Sequence, residues 1–207
     1  MAEGINQPAM PVQQSMLVII VGPKHSGKTS AGKALARLWA GGRALFVDLD
    51  ELVERRTGKS PRLLYREGPE CFRQAEAAAL RALLGEISAG KGSFAPAAAP
   101  AGVFIAAAGG GIADNREALA LLKKNGAVKT VYIEVPAETA WERIREAADR
   151  TGELPPFLNT DNPRETHRLL HERRGKIYRE LAAFTVKAGD TPEETAAEML
   201  RRLTRCS

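Results

Sequence analysis

Residues 22–29, Gly-Pro-Lys-His-Ser-Gly-Lys-Thr, have the types and spacing of a loop that binds phosphate groups. They match the pattern G-x-x-x-x-G-K-[ST], follow the apolar run 16–21 and precede a helix-like stretch. In such a loop the backbone N–H groups face the phosphates, the lysine adds positive charge and the final hydroxyl can reach Mg²⁺. A glycine-rich turn without a ligand would not need the complete motif. The sequence therefore predicts nucleotide binding by Gly22, His25, Ser26, Gly27, Lys28, Thr29 and Ser30.

Two carboxylates follow the second apolar run, 43–47, in the sequence Asp48-Leu49-Asp50. Alternate side chains of an extended segment leave the same face, so we expect both carboxylates on one side of the chain. One could then bind the metal and the other could bind the hydroxyl of a phosphoryl acceptor. The same pattern occurs in surface turns and helix caps, so taken alone it leaves both interpretations open.

Three glycines, 109–111, follow the third apolar run, 103–108. Without side chains their backbone N–H groups are open to a ligand, although a tight turn would also explain them. In the preceding helix-like stretch, Arg73 and Glu76 are three residues apart, and we expect them to pair. The paired guanidinium of Arg73 would be ready to bind a carboxylate, whereas the alternative is an ordinary surface ion pair.

The elements that must position these residues alternate between strand-like and helix-like stretches. Further strands are predicted at 127–135 and 183–187, so five strands alternate with helices and indicate an α/β fold with helices on both faces of a parallel sheet. Prolines 61 and 69 are expected at first helical positions, and residues 114–117 are expected to form a capping box that begins with Asp114. Helical spacing predicts a buried stripe of Phe72, Ala75, Ala79, Leu83 and Ile87.

Length and composition restrict the class of protein. The 207 residues predict a single folded domain over 16–207, a disordered tail over 1–15 and a flexible insertion over 88–102. We find no apolar run long enough for a membrane span and no signal peptide, and two cysteines make no disulfide framework. A cytoplasmic protein is therefore expected. The net charge of +5 suits a phosphate pocket, and scattered arginines with few aromatic residues argue against a nucleic-acid partner.

From residue 16 to 203 the sequence resembles the shikimate kinases, members of the P-loop group of kinases related to nucleoside monophosphate kinases. The resemblance rests on the phosphate loop, on Phe46-Val-Asp48-Leu-Asp50, on Gly68-x-x-x-Phe72-Arg73-x-x-Glu76, on the triple glycine and on the segment 174–182, Arg-Gly-Lys-Ile-Tyr-Arg-Glu-Leu-Ala. It implies a three-layer P-loop fold with the strand order 2-3-1-4-5 and a mobile lid near 148–163. We also expect a monomer.

The same resemblance implies a reaction and a set of roles. The chain would transfer the γ-phosphoryl group of ATP to the 3-hydroxyl of shikimate. Lys28 and Asp50 would be catalytic, and Thr29 with Asp48 would position Mg²⁺. Two further groups would bind the substrates: Arg150 and Pro192 on the adenine, and Asp50, Arg73, Gly109, Gly110, Gly111 and Arg174 on shikimate.

The predicted lid departs from the family pattern. Pro155 stands where the family places an arginine that contacts the phosphates. Arg145, Arg150 or Arg164 could replace that arginine, or the chain could be a slow or inactive nucleotide-binding relative. A kinase of the same architecture that acts on gluconate or a nucleoside monophosphate is a further alternative, which Arg73, the triple glycine and Arg174 disfavour.

Overall fold

The apolar runs form one parallel sheet in the computed structural model, which describes residues 16–39, 44–88 and 102–205. The strands are β1 (Met16–Val21), β2 (Ala44–Asp48), β3 (Val103–Ala107), β4 (Val128–Glu134) and β5 (Phe184–Lys187). Their order across the sheet is β2-β3-β1-β4-β5, and every neighbouring pair is parallel. The α/β fold class and the strand order 2-3-1-4-5 are therefore confirmed.

Eight α-helices connect and cover the strands within the described residues: α1 (Lys28–Leu38), α2 (Leu49–Thr57), α3 (Pro61–Glu67), α4 (Pro69–Ser88), α5 (Arg116–Lys124), α6 (Ala137–Thr151), α7 (Pro163–Leu181) and α8 (Pro192–Arg205). Short 3₁₀ helices cover Ile112–Asp114 and Pro156–Leu158. The predicted tail 1–15 and most of the predicted insertion 88–102 lie outside the described residues. No helix among those described is long and apolar enough to cross a lipid bilayer.

The period-two alternation of the strands divides the core into two layers. In β1, Leu17 and Ile19 pack on one side of the sheet with α2, α4 and α5, whereas Val18 and Ile20 pack on the other side with α1 and α8. All four side chains are fully buried. Both faces of a parallel sheet must be covered in this way, because its strands are apolar on both sides.

Local signals position the helix starts, with one correction. Pro61 and Pro69 begin α3 and α4 as predicted. The cap of α5 is Asn115 rather than Asp114, because the Asn115 side chain accepts the N–H of Ala118 at 3.1 Å. Asp114 points instead towards α7, where it pairs with arginines.

The predicted apolar stripe of α4 packs as expected. Ala79, Leu83 and Ile87 are buried in the core, and Phe72 and Ala75 pack against it partly buried. This packing fixes the rotation of α4 about its axis, and therefore decides which of its polar side chains face inward.

The strand order places the candidate residues at one edge of the sheet. After β1 the chain continues to β2 on one side of the sheet, and after β3 it crosses to β4 on the other side of β1. The connections after β1 and β3 therefore diverge, which leaves a crevice between the carboxyl ends of these two strands. Open α/β sheets bind ligands at such a switch point. The phosphate loop follows β1 and the triple glycine follows β3, so the two loops lie side by side.

Candidate functional site

The phosphate loop joins β1 to α1 and closes on its own lysine. Lys28 is the first residue of α1, is 7% exposed, and donates from Nζ to the carbonyl of Pro23 at 2.7 Å. Burial lowers the pKa of this lysine to about 8, although Asp50 favours its charged form. The buried hydroxyl of Ser26 has no hydrogen-bond partner within the described residues. A buried lysine and an unpartnered hydroxyl in one loop suit an anionic ligand with oxygen atoms.

His25 holds a strained position in this loop. Its backbone φ of 60° lies in the left-handed region, which residues other than glycine rarely adopt. Burial, and then the neighbouring charges of Lys24 and Lys28, lower its pKa to about 4, so the imidazole is neutral at pH 7. The His25 carbonyl accepts a hydrogen bond from Arg143 Nη1 at 3.2 Å. Sequence reasoning did not single out Arg143, which belongs to no motif and reaches the loop only because α6 packs beside it.

Asp48 contacts both Thr29, the other metal-binding candidate, and Asp50. Its Oδ2 accepts the Thr29 hydroxyl at 2.8 Å, and its Oδ1 accepts the backbone N–H of Asp50 at 3.0 Å. The second contact makes Asp48 the N-cap of α2, so Asp50 lies in the first turn of a helix rather than on an extended segment. The expectation of two carboxylates on one face of a strand was therefore wrong. The sequence is compatible with an extended segment and with a helix cap, and the hydrogen bond to the Asp48 side chain favours the helix.

Asp50 and Glu76 meet beneath the triple glycine. A Cβ at Gly109 would lie 2.9 Å from Asp50 Oδ1 and 3.0 Å from Glu76 Oε1, so both oxygens face this glycine. Both atoms are buried without a hydrogen-bond partner among the described residues. Burial, aided by Asp48 and opposed by Lys28, raises the pKa of Asp50. Burial also raises the pKa of Glu76, to about 8, although a hydrogen bond from Asn115 opposes this shift.

The predicted pair of Arg73 and Glu76 was wrong. Arg73 Nε donates instead to Glu70 Oε2 at 2.9 Å, whereas Glu76 Oε2 accepts from Asn115 Nδ2 at 2.9 Å. The reason is the rotation of α4: its apolar stripe carries Glu76 into the core, fully buried, and leaves Arg73 partly exposed. Asn115 also donates to the Arg73 carbonyl at 2.8 Å, so it ties α4 to the start of α5.

Arg174 reaches the triple glycine from α7. Its Nε and Nη2 donate to Asp114 Oδ2 at 3.1 and 2.7 Å, and its Nη1 donates to the Gly110 carbonyl at 3.3 Å. The ring of Phe157 stacks on its guanidinium, with 5.2 Å between the ring centroid and Cζ. Tyr178 donates to the same Gly110 carbonyl at 2.6 Å. Sequence reasoning found Arg174 and missed Asp114, which it took for a helix cap.

Two neighbouring cavities, which share part of their lining, open along this edge of the sheet. The smaller cavity, about 260 Å³, is lined by the phosphate loop with Thr29, Asp48 and Asp50. The larger cavity, about 410 Å³, extends under α3, α6 and the segment 153–157, and Arg174 lines it. Both cavities are lined by Lys24, His25, Asp50 and Gly110.

The cavities bring together most of the predicted site residues. Of those outside the phosphate loop, Asp48, Asp50, the three glycines and Arg174 line one cavity or both, whereas Arg73, Arg150 and Pro192 line neither. Pro155 lines the larger cavity and does not line the smaller one at the phosphate loop. Arg62 and Tyr65, which sequence reasoning missed, also line it. No motif marked them, because only the packing of α3 against the segment 153–157 brings them there.

The oxygen atoms of Thr29 and Asp48 fit a hard divalent cation such as Mg²⁺. Their 2.8 Å hydrogen bond shows that they are close enough to act on one ion. No group of three or more metal-ligating side chains occurs in the described part of the chain. Mg²⁺ bound together with phosphates does not require one, because it keeps water and phosphate oxygens as ligands.

Comparison with known proteins shows which family the chain belongs to. A sequence model described as "Shikimate kinase" matches residues 24–204. The shikimate kinase of Aromatoleum aromaticum is 34% identical over 175 residues, which cover 84% of this chain and 86% of that protein. The structure of Acinetobacter baumannii shikimate kinase in complex with shikimate matches with a TM-score of 0.72 and 26% identity, and covers 94% of this chain and 96% of that one. The Aquifex aeolicus enzyme matches with a TM-score of 0.67 and 29% identity, over 91% of this chain and 96% of that one. Sequence and fold thus agree that the chain belongs to the shikimate kinase family of ATP-dependent kinases.

Proposed function

We propose that the chain transfers the γ-phosphoryl group of Mg-ATP to the 3-hydroxyl of shikimate, giving shikimate 3-phosphate and ADP. The observation that carries this proposal is the position of Asp50, which lines both cavities and carries a buried oxygen without a partner. A carboxylate at the junction of a phosphate site and a second cavity can accept the proton of an acceptor hydroxyl at the place where phosphoryl transfer must occur.

The smaller cavity would bind ATP, the phosphoryl donor. Lys28, now bound to the Pro23 carbonyl, would exchange that contact for the phosphates, and the Ser26 hydroxyl would gain the acceptor that it lacks. The backbone N–H groups at the start of α1 add partial positive charge. Arg150 and Pro192 would lie on either side of the adenine, and we add Arg143 as a support for the loop because it holds the His25 carbonyl.

Thr29 and Asp48 would hold Mg²⁺, with Asp48 acting through a water molecule. The ion, when bound, supplies positive charge to the β- and γ-phosphate oxygens. The protein's own contribution is to hold the Thr29 hydroxyl in place, which the 2.8 Å bond to Asp48 does.

The acceptor side is the larger cavity. Asp50 takes the proton of the 3-hydroxyl as the hydroxyl oxygen forms a bond to the γ-phosphorus, and the bond to the β–γ bridging oxygen breaks with its electron pair on ADP. The raised pKa of Asp50 favours this proton transfer, because a general base works best with a pKa near the working pH. Arg174, Arg73 and residues 109–111 would bind the remaining groups of shikimate.

The segment 148–163 would act as a lid. It already covers the larger cavity with Thr151, Glu153 and residues 155–157. Its closure would keep out water, which competes with the hydroxyl for the phosphoryl group. We further propose a cytoplasmic monomer whose partners are ATP and shikimate, with no part in nucleic-acid or membrane binding.

The test is ADP release in the presence of Mg-ATP, with and without shikimate, for the wild type and Asp50→Asn. We expect release that depends on shikimate and a kcat lower by a factor of about 10²–10⁴ in the variant, the usual contribution of a general base. Affinity for ATP should be retained, because the amide is nearly isosteric. Glu51→Gln is the matched control, since Glu51 is exposed in the same helical turn and lines neither cavity.

Three outcomes would contradict the proposal. ATP binding without shikimate-dependent ADP release would indicate a nucleotide-binding relative without turnover. Full activity of Asp50→Asn would remove the role given to this carboxylate. Release that depends on gluconate or a nucleoside monophosphate instead would assign a different acceptor to the same cavity.

A further inference from the structure

Lys24 lies where the two cavities share their lining. It is the third residue of the phosphate loop and lines both cavities, as Asp50 does. Its backbone packs against the triple glycine, because a Cβ at Gly110 would lie 2.8 Å from the backbone N of Lys24. The Gly110 carbonyl is in turn held by the hydroxyl of Tyr178 at 2.6 Å. The side chain of Lys24 therefore starts from a fixed point between the two cavities.

The ammonium of Lys24 is available to a ligand. Lys24 is exposed, and its side chain makes no hydrogen bond or ion pair with any residue that the structure describes. Burial is the largest influence on the pKa values of Lys28 and Asp50, but the positive charge of Lys24 also acts on both and lowers each of them. The ammonium thus lies within electrostatic reach of the loop lysine and of the carboxylate, and has up to three N–H donors to offer.

Three other cationic side chains line one of the cavities within the described ranges. Lys28 lines only the smaller cavity, whereas Arg62 and Arg174 line only the larger one. Each of them already has an acceptor in the protein: Lys28 the Pro23 carbonyl, Arg62 the Glu153 carboxylate and Arg174 the Asp114 carboxylate. A phosphoryl group that moves from ATP in the smaller cavity to an acceptor in the larger one passes the shared lining. Of the described cations, Lys24 is the one that lies there and has no acceptor of its own.

The segment 148–163 brings no positive charge to the larger cavity. None of its residues that line this cavity is basic, and Glu153 is acidic. The three arginines considered as replacements for the one absent at Pro155 line neither cavity in this structure: Arg145, Arg150 and Arg164. Phosphoryl transfer depends on positive charge at the oxygens of the transferred group. Within the described residues, the phosphate loop itself is the element that places a free cation at this point.

We propose that Lys24 is a catalytic residue that binds the γ-phosphoryl group of ATP during its transfer; this inference rests on the proposed function. As the acceptor oxygen forms a bond to the γ-phosphorus, the bond to the β–γ bridging oxygen breaks with its electron pair on ADP, and Asp50 takes the hydroxyl proton. Lys24 keeps its protons and donates hydrogen bonds to the equatorial oxygens, over which the charge is spread in the transition state. Because it lines both cavities, its ammonium can stay in contact with the group throughout the transfer.

The first experiment measures the single-turnover rate of ADP formation from Mg-ATP and shikimate. We expect Lys24→Met to lower this rate by about 10²–10³-fold, the usual effect of removing one donor to a transition state. Lys24→Arg keeps the charge and should retain most of the rate. The KM for shikimate and the calorimetric Kd of Mg-ADP should change by less than about three-fold, because neither molecule carries the transferring group. Lys33→Met is the matched control, since Lys33 is an exposed lysine of α1 that lines neither cavity, and it should match the wild type.

A second experiment tests whether the contact is made to the transferring group. Aluminium fluoride takes the place of that group in a complex with Mg-ADP and shikimate, and such complexes resemble the transition state. Calorimetry of Mg-ADP binding in the presence of shikimate should show a gain in affinity when aluminium fluoride is added, and this gain should be about 10–100-fold smaller in Lys24→Met. Without aluminium fluoride the two proteins should bind Mg-ADP alike. Thermal unfolding of each variant checks that the fold is retained.

The outcomes separate the two proposals. A wild type that releases no ADP in response to shikimate overturns the proposed function, and the role of Lys24 with it. An active wild type in which Lys24→Met is as fast as Lys33→Met, or in which aluminium fluoride affects Lys24→Met and the wild type equally, overturns the role of Lys24 alone. A loss confined to the KM for shikimate would mean that the ammonium binds the acceptor instead. A Lys24→Arg variant no faster than Lys24→Met would mean that the charge is not what matters, and both results also overturn the proposal.

Discussion

Replacing Gly110 with alanine should displace the phosphate loop. A Cβ at Gly110 would lie 2.8 Å from the backbone N of Lys24, 3.1 Å from its Cα and 3.3 Å from its Cβ. Gly110 has little freedom to retreat, because its carbonyl accepts hydrogen bonds from Arg174 and Tyr178. The loop around Lys24 must therefore move by about 0.6 Å before the shortest contact reaches 3.4 Å, where ordinary van der Waals contact begins.

The magnitude follows from this displacement. Overpacking of a well-packed site costs about 1–3 kcal/mol of unfolding free energy. A misplacement of about 1 Å in a positioning group costs about 100-fold in catalysis, so a shift of about 0.6 Å should lower kcat/KM for ATP by about 10–100-fold. Affinity for ADP should fall as well, because the N–H groups that face the phosphates move with the loop.

Gly111→Ala is the matched control, because a Cβ at Gly111 would meet no atom within 4 Å. The assays are the calorimetric Kd of Mg-ADP and the free energy of unfolding in urea. Gly110→Ala should be weaker in both, and Gly111→Ala should match the wild type. If the two variants bind Mg-ADP equally well and unfold at the same urea concentration, the close contact between the two loops does not control nucleotide binding.

Two further predictions concern buried ionisable groups. Burial lowers the pKa of Lys28 to about 8, and phosphates bind the charged form of this lysine. The affinity for ADP should therefore fall by up to about ten-fold per pH unit above pH 8. Calorimetry from pH 7 to 10 should show this slope, and Lys28→Arg should remove most of it. A flat profile for the wild type would mean that Lys28 remains charged. Burial raises the pKa of Glu76 from about 4.5 to about 8. Between these two pH values the folded state therefore holds a proton that the unfolded state has lost. The stability that this difference in protonation provides is fully present below pH 4.5 and is lost as the pH rises through 8. Urea unfolding should show stability falling by about 1 kcal/mol per pH unit over this range, and Glu76→Gln should flatten the curve, whereas an unchanged slope would contradict the buried proton.

The sequence by itself determined the fold class and the local form of the phosphate loop. Hydrophobic runs with strand and helix periods specify an alternation that forms a covered parallel sheet, and the strand order followed from the resemblance. The phosphate loop is a local motif: a strand, a turn and a helix adjacent in the chain, so its residues converge without any distant contact. The same holds for the prolines that begin α3 and α4.

Tertiary structure decided the partners of the charged side chains. Arg73 and Glu76 have the spacing of a helical pair, but the apolar stripe of α4 rotates Glu76 into the core and leaves Arg73 to Glu70. Asp114 has the sequence of a cap, but the approach of α7 gives it Arg174. Spacing along the chain shows which contacts are possible, whereas the burial of apolar faces decides which of them form. For this reason Arg62, 91 residues from Glu153 along the chain, could be assigned to the cavity only from the packed structure.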